Sequence, residues 1–394
     1  MHKRFVSILI AFAFLFAIIR AGVPALSAEK PIVIGFSIAL SGESSDAAGY
    51  LRQGYDLWRK DINAKGGLLG RRVEFKVYDD QGDPQTSARL YERLVTQDKV
   101  DLLISPYGSA VAGAASTIAE KYKMVFPAMA STPALAQRGY RYVFLIPASS
   151  RDYYHGPIDI AAKMGYKTVA IMGEDSEYPR EAVPGSAEYA QARGLKVVYQ
   201  ALYPPKTTDF NSYLAHVKAA NPDVFINAGF TPEDLGLLHD LKGQDINVKE
   251  LVLGIGASLP TWPKNAGKDG NYVLSATQYE PYVNTPGNKQ FVAEYQKAYK
   301  KLPDYRASQA YAACQVLASA VQKVGSLDQT KVRDAIGQID EETVFNRFKI
   351  DQKGAQIGAK LMTAQWINGK KEIVFPADMA TAKYVLPVPA WAKR

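Results

Sequence analysis

The feature that most constrains the fold is a regular alternation of short apolar runs with longer amphipathic segments. The segment "PIVIGFSIAL" (31–40) has the β-branched composition of a buried strand. After a polar loop, Leu51, Tyr55 and Trp58 fall at the spacing that places them on one face of a helix. Because similar pairs of strand and helix patterns follow, the sequence predicts an α/β protein with helices on both faces of parallel sheets.

The alternation occurs in two blocks. After "SSRDYYHGP" (149–157) the pattern starts again and continues to about residue 280. Three helical segments then follow one another without an intervening strand, at 288–302, 306–325 and 327–339. They cannot extend the second block, so we expect them to pack on the first. The predicted fold is therefore two doubly wound α/β lobes that share a cleft.

The first 28 residues have the composition of a secretory signal peptide. Lys3 and Arg4 precede an apolar run (5–19), and a stretch of small residues follows. A transmembrane anchor is the alternative, but about 15 apolar residues ended by Arg20 are fewer than the ~20 that a spanning helix needs. The absence of a cysteine near the cleavage region argues against a lipid anchor. We expect cleavage of residues 1–28 and a periplasmic protein.

Composition and charge exclude several classes of function. The chain of 394 residues is 47% apolar, far from the composition of a disordered protein. Its formal net charge of +8 comes from scattered basic residues, so nucleic-acid binding is not expected. Cys314 is the only cysteine and lies in an apolar pattern, which excludes a disulfide within the chain and favours a buried thiol.

Catalytic and metal-binding patterns are scarce. The histidines have no metal-ligand spacing. The sequence contains no G-x-x-x-x-G-K-[ST] phosphate loop, no dinucleotide fingerprint after the first strand and no G-x-S-x-G nucleophile motif. Asp79 and Asp80 could form a carboxylate pair, but their position after a strand favours hydrogen bonds to the following turn. We therefore expect no enzymatic activity, no cofactor and no metal.

Small hydroxyl residues follow two successive strand-like runs. Ser109 begins a helix, so its hydroxyl and the first-turn N–H groups can bind an anion. Ser131 and Thr132 begin another helical turn, and Tyr107 and Thr132 are secondary candidates beside the two serines. Loops at strand carboxyl ends border the ligand crevice of open α/β sheets. Two such helix starts predict a carboxylate site, with routine helix capping as the alternative for each hydroxyl alone.

The corresponding loops of the second block carry aromatic residues. Tyr178 lies in "EDSEYPRE" (174–181), and Phe230 lies in "AGFTPED" (228–234). Both rings could close over the apolar body of a ligand, although aromatic residues near strand ends also serve ordinary packing.

Several segments are individually loose motifs but share a specific order and spacing. They are "IVIGFSIALSG" (32–42), "DINAKGGLLGRRVEFKVYDDQGDP" (61–84), "ISPYGSAVAGAAS" (104–116), "RGYRYVFLIPASS" (138–150), "DSEYPREA" (175–182) and "QWINGKKEIVFP" (365–376). Over essentially the whole mature chain, this pattern resembles the leucine/isoleucine/valine-binding family of periplasmic solute-binding proteins. The resemblance implies the type I periplasmic-binding fold, in which two lobes joined by three crossovers close over a ligand.

Lobe boundaries follow from this resemblance. Lobe I is expected at 29–147 with 281–350, and lobe II at 148–280 with 351–394. The crossovers then lie near residues 148, 280 and 350, and such a hinge should move mainly by bending.

The resemblance also implies ligand-binding residues. In members that bind amino acids, the ligand carboxylate is held by residues that match Ser109 and Ser131. A backbone carbonyl that matches Met129 helps to bind the ammonium group. Aromatic residues of the second lobe match Tyr178 and Phe230.

One feature of the family is missing from this chain. The family's ammonium-binding acid lies in the loop after the strand that is "ELVLG" here, but "GIGASLP" (254–260) has no carboxylate. A desolvated ammonium group without an anionic partner is costly. Glu233 or Glu280 could supply the charge from elsewhere. Otherwise the ligand is a carboxylate or amide without an ammonium group, such as an aromatic or short-chain acid.

The expected function is solute binding outside the cytoplasm. The resemblance implies a monomeric component of an ABC importer that captures a small amino-acid-like or carboxylate solute and delivers it to a membrane permease. A ligand-sensing receptor or regulator domain of the same fold is an alternative, which the predicted signal peptide disfavours. A secreted hydrolase is a third reading, for which the sequence shows no nucleophile and base pair.

Overall fold

The computed structural model describes residues 30–42 and 44–394, so the predicted signal peptide lies outside the described residues. Strands and helices alternate through the first block and again through the second. The first block contains β1 (Ile32–Ile38), α1 (Ser45–Ala64), β2 (Val73–Asp79), α2 (Pro84–Thr96), β3 (Leu102–Leu103), α3 (Ser109–Lys121), β4 (Phe126–Ala128), α4 (Pro133–Ala136) and β5 (Val143–Leu145).

The remaining elements continue this order to the end of the chain. The second block contains α5 (His155–Lys163), β6 (Thr168–Glu174), α6 (Glu177–Ala192), β7 (Lys196–Tyr203), α7 (Asn211–Ala220), β8 (Val224–Ala228), α8 (Thr231–Gly243), β9 (Glu250–Val252), α9 (Trp262–Ala266) and β10 (Leu274–Thr277). The last part contains α10 (Asn288–Tyr299), α11 (Tyr305–Val324), α12 (Gln329–Ile336), β11 (Asp340–Glu342), β12 (Arg347–Lys349), β13 (Met362–Ile367) and β14 (Lys370–Phe375).

Parallel sheets dominate both blocks. The first block forms a three-stranded sheet in the order β2-β1-β3 and a separate parallel pair of β4 and β5. The second block forms a seven-stranded sheet in the order β14-β13-β10-β9-β8-β6-β7. Strands β6 to β10 of this sheet run parallel, whereas β13 and β14 form an antiparallel hairpin at its edge. The predicted α/β class is confirmed.

The interruption between β3 and β4 has a local cause. Phe126 donates its N–H to the carbonyl of Tyr142 on the β5 side, at 2.8 Å. Because successive residues of a strand point their N–H groups to opposite sides, Pro127 faces β3 and has no N–H to donate. Met129, the next residue facing that side, donates to the hydroxyl of Ser105 at 2.9 Å. The first sheet therefore divides near the ends of two strands.

The C-terminal hairpin is closed by Asn368 and Gly369. Their φ angles are +52° and +75°, the left-handed values that a type I′ turn requires and that Asn-Gly pairs favour. The hairpin packs Trp366 into the core of the second block, where its indole N–H donates to the carbonyl of Ala257 at 2.6 Å.

Core membership divides these elements into two lobes. Lobe I contains β1–β5 and β12 with α1–α4 and α10–α12, and lobe II contains β6–β10, β13 and β14 with α5–α9. The three C-terminal helices thus pack on the first block, as their uninterrupted order in the sequence predicts. The chain crosses between the lobes after β5, after β10 and after β12. The residue boundaries stated above stay predictions.

Two side-chain amides tie the crossing segments together. Gln278 accepts the N–H of Ala148 at 2.8 Å and donates to the hydroxyl of Tyr153 at 2.6 Å. Asn346 donates to the carbonyls of Gln278 at 3.3 Å and Lys360 at 2.8 Å. All three crossings are therefore hydrogen-bonded at one place, which favours bending of the lobes over sliding.

Helix α11 packs along α1 at very short range because residue 54 is glycine. A Cβ atom at Gly54 would lie 2.1 Å from the carbonyl oxygen of Ala307 and 2.8 Å from the Cβ of Ala310. Both of those atoms belong to α11 and cannot swing away as a flexible side chain could. The attachment of the C-terminal helices to lobe I thus depends on this close approach.

We predict that Gly54→Ala lowers the free energy of unfolding by about 1–3 kcal/mol or more, because the new methyl group forces α1 and α11 apart. Gly49→Ala is the matched control, since Gly49 lies in the same helix and has no atom within 4 Å of its Cβ position. The control should gain roughly 0.5–1 kcal/mol from helix propensity. Urea unfolding of both variants tests this, and shifts of the same sign would contradict the packing argument.

Candidate functional site

A cavity of about 260 Å³ lies between the carboxyl ends of strands from the two lobes. Lobe I contributes Tyr107, Ser109, Met129, Ser131, Tyr305 and Gln309 among others, and lobe II contributes Tyr153, Glu174, Ser176, Glu177, Tyr178, Phe230 and Ile255. A ligand in this cavity touches both lobes.

The lobe I wall joins Ser109, the first residue of α3, to Ser131, which lies two residues before α4 and does not itself begin a helix. Gly108 precedes α3 with φ at +94°, and Ser109 is the first helical residue. The N–H of Ser131 donates to the hydroxyl oxygen of Ser109 at 3.3 Å, so the ends of β3 and β4 meet here. The first-turn residues Ala110 and Val111 also line the cavity, and N–H groups of a first turn have no acceptor within their helix.

Tyr153 connects this wall to the crossing segments. Its hydroxyl receives the hydrogen bond from Gln278 and also interacts with the side chain of Ser131. Burial raises the pKa of Tyr153 to about 12, so the hydroxyl stays protonated at neutral pH. The hinge and the cavity therefore share a hydrogen-bonded residue.

The lobe II wall is largely aromatic. The rings of Tyr178 and Phe230 pack edge to face with centroids 5.9 Å apart, and Tyr153 lies 5.5 Å from Tyr178. The hydroxyls of Tyr154 and Tyr178 are 2.7 Å apart, which fixes the orientation of the Tyr178 ring. This wall offers an apolar surface to the body of a ligand.

Asp234 holds the loop that completes this wall. Its carboxylate accepts hydrogen bonds from the side-chain amide of Asn227 at 2.9 Å and from the N–H groups of Gly254 and Gly256 at 3.1 and 2.8 Å. Complete burial raises the pKa of Asp234 to about 7, although the three donors act in the opposite direction. These bonds keep Ile255 at the cavity.

Comparison with known proteins identifies the family. The sequence pattern of the family described as periplasmic binding protein matches residues 31–371. The chain belongs to this family. It is 27% identical over 391 residues to the Leu/Ile/Val-binding protein homolog 7 of Brucella melitensis, an alignment that covers 94% of this chain and 97% of that protein.

Solved structures of periplasmic binding proteins share the fold. One is the substrate-binding protein of a branched-chain amino acid transporter from Streptococcus pneumoniae in complex with isoleucine. Its TM-score is 0.77 at 22% identity, covering 91% of this chain and 100% of that chain. Another is an ABC-transporter solute-binding protein from R. palustris in complex with benzoate. Its TM-score is 0.76 at 20% identity, covering 92% of this chain and 97% of that chain.

Membership in the periplasmic binding proteins confirms the family and the type I fold predicted from the sequence. It also makes the chain a solute-binding protein and not an enzyme. Within residues 30–42 and 44–394, no helix is both long and apolar enough to cross a membrane. The same residues contain no group of three or more His, Cys, Asp or Glu side chains arranged to hold a metal ion.

The fold brings most of the predicted site residues of this periplasmic binding protein to the cavity. Lobe I and lobe II both contribute, as the sequence pattern indicates. The predicted site residues that line the cavity are Tyr107, Ser109, Met129, Ser131, Tyr178 and Phe230. Their roles in ligand binding stay predictions.

Three other candidates are not among the lining residues. Thr132 is buried at the start of α4. Glu233 has one buried carboxylate oxygen without a partner, and burial raises its pKa. Glu280 forms an ion pair with Lys371 at 2.7 Å, and both side chains are almost completely buried. The charge of Glu280 is therefore already balanced within the protein.

The sequence-based prediction missed other residues that line the cavity. Glu174 ends β6, just before the helix α6 that carries Tyr178, and its place at a strand carboxyl end was the available signal. Tyr305 and Gln309 lie one turn apart at the start of α11. They reach the cavity only because this helix packs on α1, which no local pattern reveals.

We predict that Asp234→Ala destabilises the protein by at least about 3 kcal/mol, since it leaves three buried donors without an acceptor at ~1–3 kcal/mol each. It should also weaken ligand binding, because the loop that carries Ile255 loses its attachment. Urea unfolding and titration calorimetry measure the two effects.

Asp234→Asn is the matched control for this prediction. Its remaining carbonyl oxygen can still accept from Asn227 and Gly254, which share one carboxylate oxygen in the native protein. Only the bond from Gly256 to the other oxygen is lost. The Asn variant should therefore lose less stability than the Ala variant, and equal losses would contradict the proposed role of the carboxylate.

Proposed function

We propose that this protein is the extracytoplasmic solute-binding component of an ABC importer. It captures a small solute that carries a carboxylate group between its two lobes and delivers it to a membrane permease. The observation that carries this proposal is one cavity with a hydroxyl and N–H wall from lobe I and an aromatic wall from lobe II. The solved structures support it, since a substrate-binding protein of a branched-chain amino acid transporter is in complex with isoleucine and a solute-binding protein of an ABC transporter is in complex with benzoate.

The lobe I wall is suited to an anion. Ser109 and Ser131 supply hydroxyl groups, and the first turn of α3 supplies N–H groups at the positive end of the helix dipole. Among the described residues, those that line this wall include no Asp or Glu. A carboxylate therefore finds donors on this side.

The rest of the cavity is suited to an apolar body of modest size. The lining includes five aromatic side chains, Tyr107, Tyr153, Tyr178, Phe230 and Tyr305. Isoleucine and benzoate have the same number of non-hydrogen atoms. The volume of the cavity thus favours neither isoleucine nor benzoate. Because the lining is rich in aromatic side chains, an aromatic or short-chain acid is the second candidate solute.

Closure of the lobes follows from where the ligand binds. A ligand shifts an open and closed equilibrium only through its different affinity for the two states. Because the solute touches both walls only when the lobes are together, it stabilises the closed form. The predicted signal peptide places this capture in the periplasm, where we expect a monomer to present the closed form to the permease.

We predict that Ser109→Ala combined with Ser131→Ala weakens carboxylate solutes strongly. Each lost hydrogen bond to a charged group is worth ~1.5–3 kcal/mol, so the Kd should rise by more than tenfold for each hydroxyl. The melting temperature of the unliganded protein should hardly change, because water in the open cavity can take over the hydrogen bonds that these hydroxyls make to the Ser131 N–H and to Tyr153. The solute for titration calorimetry comes from a thermal-shift screen, in which a ligand at 100 times its Kd stabilises by ~2.7 kcal/mol.

Ser116→Ala serves as the control variant. Ser116 lies in the same helix as Ser109, but its hydroxyl donates to the carbonyl of Gly113 within that helix and does not line the cavity. The affinity of the Ser116→Ala variant for the solute should equal that of the native protein. Unaltered affinity in the double variant would show that the carboxylate binds elsewhere.

A further inference from the structure

We infer that Gln309 and Tyr305 form a hydrogen-bonding subsite on α11 that selects solutes with a hydroxyl group in addition to their carboxylate. The inference rests on the proposed function, because it assigns a second contact to a solute whose carboxylate lies at Ser109 and Ser131. The subsite belongs to a helix of the last part of the chain, whereas the two serines follow strands of the first block.

The side-chain amide of Gln309 lies in the cavity wall without a partner from the protein. The residue lines the cavity and is only 4% exposed. Its side-chain nitrogen is buried, and among the residues that the structure describes none forms a hydrogen bond with the amide. A buried polar group without a partner is unfavourable. A solute that supplies the missing partner therefore gains affinity.

Tyr305 adds a second polar group on the same side of the helix. Tyr305 and Gln309 are four residues apart in α11, so they lie on one face, and both line the cavity. Burial raises the pKa of Tyr305, so its hydroxyl stays protonated and can donate. Within the described part of the chain, no residue forms a hydrogen bond with this hydroxyl. This face of α11 thus presents an amide and a phenol hydroxyl to the cavity.

The chemistry of these two groups fits a hydroxyl on the solute. A primary amide both donates and accepts hydrogen bonds, and so does a phenol hydroxyl. Because the last torsion of a glutamine side chain is broad, the amide can turn either its nitrogen or its oxygen toward a ligand. A hydroxyl can therefore accept from one residue and donate to the other. A carboxylate only accepts, and in the proposed function it has its donors at Ser109 and in the first turn of α3.

The first turn of α11 holds this subsite in position. Asp304 caps the helix, since its carboxylate accepts the N–H groups of Arg306 at 3.0 Å and Ala307 at 3.2 Å. The same carboxylate accepts from Nε of Arg306 at 2.7 Å, and both side chains are almost completely buried. The guanidinium carbon of Arg306 lies 5.3 Å from the centre of the Tyr305 ring. A subsite fixed before the ligand arrives loses little freedom on binding.

The test compares matched acids with and without a hydroxyl group on the full mature protein. The panel pairs benzoate with its ring-hydroxylated isomers, 4-methylpentanoate with its hydroxylated derivatives, valine with threonine, and phenylalanine with tyrosine. Thermal shift ranks the panel, and titration calorimetry gives Kd values for the best hydroxylated acid and its parent. We expect the hydroxylated acid to bind about 10- to 100-fold more tightly, because its parent leaves buried polar groups of the cavity unpaired.

Variants assign this preference to α11. Gln309→Leu removes the amide at similar volume and should weaken the hydroxylated acid by about tenfold or more, while the parent acid binds unchanged or more tightly. Tyr305→Phe removes the hydroxyl alone and should act in the same direction. The unliganded Gln309→Leu protein should melt no lower than the native protein, since an unpaired buried amide has been removed.

Gln322→Leu is the matched control. Gln322 lies in the same helix, but it is exposed and is not among the residues that line the cavity. Both acids should therefore bind this variant as they bind the native protein.

The outcomes separate this inference from the proposed function. If the parent acids bind as tightly as their hydroxylated partners, the proposed function stands and the inference is wrong. A preference for the hydroxyl that survives both Gln309→Leu and Tyr305→Phe also overturns it, because another wall then binds this group. Equal weakening of both acids by Gln309→Leu does the same, since Gln309 would then only shape the cavity. If no compound of the panel binds, the carboxylate solute of the proposed function is wrong as well, and the inference falls with it.

Discussion

The hydrogen bonds that gather three crossing segments at one place constrain the rest of this structure. The amides of Gln278 and Asn346 join segments that are more than a hundred residues apart in the sequence, so the two lobes meet along a single hinge. Gln278 also holds Tyr153, which lines the cavity and contacts Ser131. The cavity and the hinge are therefore connected through one residue, and a change in the angle between the lobes alters a wall of the cavity.

The two walls of the cavity offer different chemical groups to a ligand. Lobe I offers hydroxyl and N–H donors, with no acidic side chain among the described residues that line it, and lobe II offers aromatic faces with Glu174 and Glu177. Each wall is suited to a different part of a ligand. A solute that contacts both walls gains its full set of contacts only when the lobes close. In the proposed function, this arrangement converts binding energy into closure of the lobes, the form that is presented to the permease.

The sequence could predict the fold class and part of the site, for identifiable reasons. The apolar periodicities of strands and helices can be recognised in the sequence without knowledge of the tertiary contacts. Ser109 and Ser131 were identifiable because each follows a strand-like run. The interruption of the first sheet was not predictable from composition, because it depends on which side of β4 the missing N–H of Pro127 faces. Tyr305 and Gln309 were missed because their place depends on the contact of α11 with Gly54. Glu174 was overlooked because an acid at a strand end most often serves the following turn, and only the folded structure shows that it lines the cavity.

A crystal structure of the protein with its solute bound is the most direct test of this mechanism. We predict a closed molecule in which the carboxylate of the solute lies within about 2.7–3.2 Å of the Ser109 hydroxyl, the distance of a hydrogen bond. The opposite end of the solute should contact the rings of Tyr178 and Phe230 on lobe II. A solute held by one lobe alone, or one whose carboxylate points toward the lobe II wall, would contradict this mechanism.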